Sequence, residues 1–354
     1  MTKQVSHLDF SGKKIYVGID CHLRSWNVTI LLENSFQKTF HQDPKVDLLL
    51  NYLKRHYPKG EYIFAYEAGF SGYWTQEKIA EQGSKCLVVH AADIPTTDKE
   101  RRQKTDRRDS KKIAMSLRGG ALESIYIPTK QQQRDRSLVR QRYRINKDKR
   151  RVMSRIRMHL HFYGELIPEG FKKGCWSKRF IDWLESLAKD RSDETLSLEL
   201  EALKLLRSLE LKALRGVRAL STRPRHKPSV DLLLSVPGIG LLTAMLFITE
   251  IGQIERFDHL DKLCSYVGLI PNTSSSGDTD RVGHMTKRAN KRLKAALIES
   301  AWIAIHRDPA LALAFEGWCQ KTGQKNKAIV KVARKLLNRI MKVWESGEKY
   351  EFGR

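Results

Sequence analysis

The 354-residue sequence predicts an α/β N-terminal region followed by a mainly α-helical remainder. Three observations carry that expectation. β-type apolar runs alternate with amphipathic stretches up to about residue 127, basic and leucine-rich stretches of helical period follow from 130, and the length exceeds one ordinary core, so two or three domains are expected. A hydrophobic content of 41% is enough to build them.

Lys14-Ile15-Tyr16-Val17-Gly18-Ile19-Asp20 and Trp26-Asn27-Val28-Thr29-Ile30-Leu31 are β-type runs, and 46 to 57 is an amphipathic helix. Tyr62-Ile63-Phe64-Ala65-Tyr66 is a further strand ending on Glu67. A helix over 73 to 81 precedes the strand Cys86-Leu87-Val88-Val89-His90, and 109 to 117 is helical. Strands alternating with helices imply a sheet with helical cover.

After Pro128 the composition changes. Between Lys130 and Arg157 stand twelve Lys/Arg and two Asp, while Leu138, Ile145 and Val152 recur every seven residues and Ile156 and Leu160 continue the stripe. That pattern is a long helix with one apolar seam and basic remaining faces. Leu200, Leu203, Leu206, Leu211, Leu214, Val217 and Leu220 mark a second helix, and the seams read equally as ordinary core or as an oligomeric coiled coil. Residues 221 to 229 are a Pro-punctuated basic linker. Helices are expected over 231–252, 258–267, 286–307 and 325–344, with a Gly/Ser-rich loop over 271–283 between them.

The charge narrows the function. With 65 Lys+Arg against 40 Asp+Glu the chain carries +25, a surplus that a polyanion relieves, and nucleic acid is the expected partner. The N-terminus lacks the apolar core and cleavage site of a secretory signal. The longest uncharged stretch, 232–249, is interrupted by Pro237-Gly238-Ile239-Gly240 and reads as buried protein, so no membrane partner is expected. Five cysteines, at 21, 86, 175, 264 and 319, show neither metal-ligand nor redox spacing, and a reducing cytoplasm suits them.

Three constellations carry chemistry. Asp20 and Glu67 end β-runs, and Asp106 and Asp109 stand three apart at a helix start, on one face. Together such acids can hold two divalent cations and work on a phosphodiester. Lys104, Arg107 and Arg108 surround the acidic pair. Pro237-Gly238-Ile239-Gly240 lies between leucine-rich helices, and reads either as a plain helix–helix turn or as a helix-hairpin-helix turn whose backbone N–H groups take a phosphate. Asn272-Thr273-Ser274-Ser275-Ser276-Gly277 precedes a basic cluster, Arg281, His284, Lys287, Arg288, Lys291, Arg292 and Lys294, which suits a serine nucleophile beside a scissile phosphate. Arg140, Arg144 and Arg151 on the 130–157 helix complete the expected nucleic-acid surface. His22 and His284 lie near these segments and read as solvated or structural.

Taken in order, Tyr16-Val17-Gly18-Ile19-Asp20, Tyr66-Glu67-Ala68-Gly69, Lys104-Thr105-Asp106-Arg107-Arg108-Asp109, Val236-Pro237-Gly238-Ile239-Gly240, and Gly268-Leu269-Ile270-Pro271 followed by Ser276-Gly277 resemble the DEDD transposases of the insertion-sequence-110 type (IS116/IS110/IS902). Relatives of that family include the Piv-type DNA invertases. The resemblance implies a RuvC-like, RNase H-fold α/β domain over 14–128, a coiled-coil and basic helical region over 129–222, and a mainly α transposase domain over 230–345 with the helix-hairpin-helix-like motif. It implies Asp20, Glu67, Asp106 and Asp109 as ligands for Mg²⁺, with Mn²⁺ also fitting hard oxygen ligands. It implies Ser276, five residues after Pro271 and just before Gly277, as the nucleophile, with Ser274 and Ser275 as its neighbours.

The activity so implied is a recombinase that cuts and rejoins DNA through a phosphoserine. The implied assembly is a tetramer built from dimers, in which acids of one subunit meet the serine of another. Several family members pair donor and target DNA through an element-encoded bridge RNA, so such an RNA is an implied partner, although composition and spacing do not themselves point to one. The implied setting is the bacterial cytoplasm, at the nucleoid during activity. The competing readings are a RuvC-like metal-dependent endonuclease that uses water, a protein-only site-specific invertase, and a non-catalytic architectural protein.

Overall fold

A computed structural model of the chain describes residues 9–96, 106–171, 174–276, 279–286 and 288–352. They divide into two units, Met1–Ile127 and Pro128–Arg354. In the first, β1 (Lys14–Cys21), β2 (Trp26–Leu31), β3 (Phe36–Gln42), β4 (Glu61–Glu67) and β5 (Lys85–Val89) form one sheet in the order β3-β2-β1-β4-β5. β1, β2 and β3 run antiparallel, whereas β4 and β5 run parallel to β1. β3 is an element the sequence pattern did not announce. Its residues FQKTFHQ carry lysine, glutamine and histidine because it is an edge strand, where polar side chains discourage further pairing.

Strand alternation sorts β1 onto two faces. Ile15, Val17 and Ile19 are buried against Leu49, Leu50 and Leu53 of α1 (Val46–His56) and Ile79 of α2 (Trp74–Glu81). The opposite face receives α3, described from Asp106 to Arg118, through Ala65, Val89, Ile113 and Leu117. Gly18 is the seat of that helix. A Cβ there would lie 2.4 Å from the Ser110 carbonyl oxygen and 2.5 Å from the Ala114 nitrogen, so the backbones touch. Beside it the Thr29 hydroxyl meets that of Ser110 at 2.9 Å and that of Thr39 at 2.8 Å.

The second unit begins with α4 (Lys130–Phe162), capped by the Thr129 hydroxyl accepting from the Gln132 N–H. It packs along α6 (Glu194–Ser221), with α5 (Lys178–Asp190) across the far end. Val152, Ile156 and Leu160 join Phe180, Leu184, Leu196, Leu200 and Leu203 in one core. Val139, Val217 and Leu220 belong to another, built with the C-terminal helices. The predicted leucine seam of α6 needs one correction. Leu211 is 55% exposed, because Ala213 and Val217 occupy the buried positions in that turn.

The expected linker over 221–229 is a short tethered turn. α6 runs to Ser221 and α7 (Lys227–Ser235) begins six residues later, while Arg225 and His226 between them bind the buried Asp135 carboxylate at 2.8–3.0 Å. α7 and α8 (Leu241–Ile251) are joined by Val236 to Gly240. Gly238 adopts φ +84°, and a Cβ there would lie 2.4 Å from the Ser300 carbonyl oxygen. Gly238→Ala therefore combines left-handed strain with a backbone clash, and the expected loss is about 2–4 kcal/mol, read as a lower urea midpoint with an unchanged m-value.

α9 (Leu260–Val267) leads into a β-hairpin, β6 (Pro271–Ser276) and β7 (Thr279–Met285), where a flexible loop was expected. α10 (Lys291–Ala304), α11 (Pro309–Thr322) and α12 (Lys325–Ser346) complete the chain. The helix expected from 286 starts at Lys291, since the Asn290 side chain accepts from the Leu293 N–H and caps it there. Among the described residues no helix is long and apolar enough to cross a membrane.

Candidate active site

Register determines where the acids of the first unit stand. Asp20 lies two residues beyond Gly18 on β1, on the face that carries α3, and Asp106 and Asp109 occupy the first turn of that helix. His22 Nε2 is 3.0 Å from Asp20 Oδ2 and 3.5 Å from Asp106 Oδ2. One ligand atom from each of these three residues lies within 4.8 Å of the others. Burial raises the Asp20 carboxyl above its ordinary range, His22 pulls it back, and the negative charges of Asp109 and Asp106 push it up again.

Of the four predicted acids, the structure brings Asp20 and Asp106 together and adds His22, which the sequence reading left as solvated or structural. Asp109 is near enough to act on Asp20 electrostatically, and its Oδ1 accepts from Lys112 Nζ at 3.4 Å. Glu67, the last residue of the adjacent β4, is exposed and stands outside the three-residue cluster. Arg107 and Arg108 are exposed at the start of α3, and Lys104 lies outside the described residues.

The cluster suits a divalent cation. Its donors are hard carboxylate oxygens and one imidazole nitrogen, and one further observation fits a hydrated ion. Asn27, the cross-strand partner of Asp20, is 1% exposed, and neither of its amide atoms has a hydrogen-bond partner among the described residues. A buried amide in that condition is costly unless something polar meets it. Neighbouring Cys21 offers no thiolate, because burial, assisted by Asp20, pushes its pKa up to about 12.

In the second unit, Ser276 is the last residue of β6, at the tip of the hairpin, paired in register with Thr279; Ser274 pairs with Arg281 and Ser275 with Asp280. Gly277 and Lys287 lie outside the described residues. The preceding Gly268 ends α9 at φ +87°, where a Cβ would lie 2.1 Å from Ala289 Cβ, so the chain entering the hairpin and the chain leaving it touch at that glycine. The Thr286 N–H donates to Ile270 O at 3.0 Å and the Asn290 N–H to Tyr266 O at 3.0 Å, closing the hairpin base. Arg288 is exposed in the turn after β7, and Lys291 and Arg292 open α10.

Behind that base sits a buried charge. Glu250, fully buried on α8, accepts from Arg140 Nε and a terminal Arg140 nitrogen at 2.6 Å each and from Asn290 Nδ2 at 3.0 Å. Arg136 donates to the Thr249 and Glu250 carbonyl oxygens at 2.9 and 3.2 Å, and the Tyr266 hydroxyl donates to the Glu250 carbonyl at 3.0 Å. This corrects the expectation for Arg140, whose guanidinium is held by a carboxylate in the interior instead of being offered to a phosphate. Arg151 pairs with Asp148 at 3.1 Å on the surface, and Arg144 is exposed. No periodicity announced Glu250. A lone acid ending an apolar run was the only sign that a cation from elsewhere must reach it.

Two family models match the chain. A transposase model of the DEDD type covers residues 17–165, and a model of the transposase IS116/IS110/IS902 family covers 230–316. Among known proteins, the chain is 29% identical to y4qE of Sinorhizobium fredii over 71% of its own length and 60% of that relative's. It is 25% identical to y4rJ of the same organism over 94% of this chain and 92% of the relative; both are transposases by designation only. A pilin gene-inverting protein of Moraxella lacunata is 24% identical over 92% of this chain and 94% of its own. With these matches, a mixed sheet bearing Asp20 on its central strand, followed by a mostly helical unit, falls in the class of transposases. The chain belongs to the IS116/IS110/IS902 transposase family.

Proposed function

We propose that the protein is a metal-dependent recombinase that breaks and rejoins DNA through a phosphoserine on Ser276. The observation that carries this reading is the meeting of Asp20 and Asp106 with His22 beside the unpartnered Asn27, over a helix seated on Gly18. In this reading Asp20, Asp106 and His22, with Asp109 and Glu67 at the rim, hold Mg²⁺ or Mn²⁺. When bound, the cation supplies Lewis-acid polarisation of the phosphate and charge for the departing oxygen. Ser276 Oγ attacks phosphorus and loses its proton, the bond from phosphorus to the leaving deoxyribose oxygen breaks, and that oxygen takes a proton. Rejoining reverses the step when a DNA hydroxyl attacks the phosphoserine and frees Ser276. Exposed Arg107, Arg108, Arg288 and Lys291, with Arg144, Arg151, Arg281, Lys287 and Arg292, neutralise the phosphates around it.

The finer assignments belong to the same proposal. Residues 14–128 form a RuvC-like domain, 129–222 a coiled-coil region and 230–345 the transposase domain, in which the turn around Gly238 acts as a helix-hairpin-helix phosphate clamp. The working unit is a tetramer that joins acids of one subunit to the serine of another, with a bridge RNA pairing donor and target. The experiment is covalent trapping: denature a reaction on supercoiled DNA carrying the element ends and look for a protein–DNA adduct. Ser276→Ala is expected to abolish the adduct while Ser274→Ala and Ser275→Ala retain it; an adduct surviving in Ser276→Ala sinks the assignment. Mixing Ser276→Ala with Asp20→Asn chains is expected to restore adduct formation if the site is shared between subunits. The whole-chain likeness to a pilin gene-inverting protein favours a second reading, protein-only inversion. RNase treatment separates the two, since only the guided enzyme loses activity.

A further inference from the structure

The second unit carries a further concentration of positive charge that the sequence pattern did not single out. Of the basic residues on α4, Arg136, Arg140, Arg142, Lys149, Arg151 and Arg155 are ion-paired to Glu250, Glu210, Asp148 and Glu199. From Gly317 to Trp344, by contrast, there is no Asp or Glu and there are eight Lys/Arg. Two of them are ion-paired, Arg334 with Asp261 at 2.5 Å on the surface and Arg339 with the buried Asp308. Lys321, Lys325, Lys327, Lys331, Lys335 and Lys342 are exposed, and none makes an ion pair among the described residues.

Their spacing makes a ridge. Lys327, Lys331 and Lys335 are four apart and Lys342 follows seven later, so all four share one face of α12. The ridge spans about 22 Å of helix, the length of roughly six base pairs. The opposite face, with Ile329, Val332, Leu336, Leu337 and Ile340, is buried, so the ridge is held rigidly. The Trp318 ring fixes its middle, with Lys331 Nζ 5.9 Å and Lys335 Nζ 5.4 Å from the ring centroid. Like charges four apart on a helix repel one another, and an anionic partner relieves that cost.

Resting on the DNA reading above, we propose that Lys327, Lys331, Lys335 and Lys342 form a sequence-independent binding surface for the phosphate backbone of duplex DNA, separate from the acidic site and the serine hairpin and beyond the two family-matched segments. A rigid row of cations suits a duplex backbone. A single strand would seek an exposed aromatic platform, and here the indole lies beneath lysines.

The test is binding without chemistry. The full-length protein and the triple variant Lys331→Gln, Lys335→Gln, Lys342→Gln are titrated with fluorescent duplex DNA of two unrelated sequences across a salt series, with duplex RNA and single-stranded DNA in parallel. Expected are a roughly tenfold or greater rise in Kd on both duplexes and a log–log salt slope flatter by about 2–3. The matching Lys→Arg triple should keep wild-type affinity. Equal duplex affinity and slope in the Gln triple overturn the surface, and so does a loss confined to RNA or to single strands. If the wild-type protein binds no duplex, the DNA reading itself falls with it; if it binds and the Gln triple binds equally, only the ridge does.

Discussion

Gly18→Ala is expected to lower the rate of strand breakage about 100-fold while leaving the chain folded. The added methyl would lie 2.4 Å from Ser110 O, 2.5 Å from Ala114 N and 2.8 Å from Ala114 Cβ. The first two are backbone atoms, so no rotamer change relieves the contact, and α3 must lift from the sheet by about 1 Å. Asp106 and Asp109 ride on that helix while Asp20 stays on β1, and misplacement by 1 Å typically costs about two orders of magnitude in rate. Overpacking at such a site costs about 1–3 kcal/mol. The informative measurement pairs adduct formation with thermal unfolding and with the divalent-ion concentration that half-saturates activity, which should rise. Gly317→Ala is the control. It lies within α11 with open space around its would-be Cβ, and should be neutral or stabilise by up to about 1 kcal/mol. Equal activity of Gly18→Ala and wild type would show that α3 is not positioned by this contact.

Glu250→Gln carries the largest expected effect on stability. The substitution keeps the shape of the side chain but leaves Arg140 and Arg136 without the buried countercharge, and breaking one partner out of such a site costs about 3–5 kcal/mol. For a unit of this size that corresponds to a fall in unfolding midpoint of roughly 10 °C, measurable by circular dichroism at neutral pH. The variant Glu250→Gln with Arg140→Met, which removes the stranded charge, should recover part of the loss. The pH dependence has a definite sign. Burial alone would raise the Glu250 carboxyl, but the Arg140 hydrogen bonds, the Arg140 and Arg136 charges and the Asn290 amide outweigh it and hold its pKa below the ordinary 4.5. Its contribution is therefore full above about pH 4.5 and drains away as pH falls through the lowered folded value. Wild type should lose more stability on acidification through that window than Glu250→Gln does. Parallel pH curves would remove Glu250 as the source.

This buried pair also explains part of what pattern reading missed. Arg140 belongs to a run that looks uniformly solvated in sequence, and only the crossing of α4 with α8 brings it to Glu250. His22 is hidden in the sequence for a similar reason. Two residues after Asp20 it has no local role, and it becomes part of the acidic cluster because α3 delivers Asp106 from 84 positions away. The hairpin over 271–285 is not legible in the sequence, because PNTSSS lacks the apolar alternation by which a half-buried strand is recognised. Its edges are instead tied by backbone bonds at the base and by the close approach at Gly268. The legible elements include β1, β2, β4, β5 and the helices α1, α2, α3, α4, α6, α9 and α12, each marked by a local pattern of residues.

Local chemistry thus determined the α/β-then-α order, the acidic character of the strand ends and helix start, the glycines of the turns and the excess of positive charge, since each depends on residues close together in the chain. Tertiary structure alone decided which acids converge, which arginines are consumed inside the fold and which lysines remain outside it. The physical reason is range. Hydrophobic period and backbone freedom act over a few residues, whereas the pairing of a charge depends on whichever helix or strand packing carries to within a few ångströms of it.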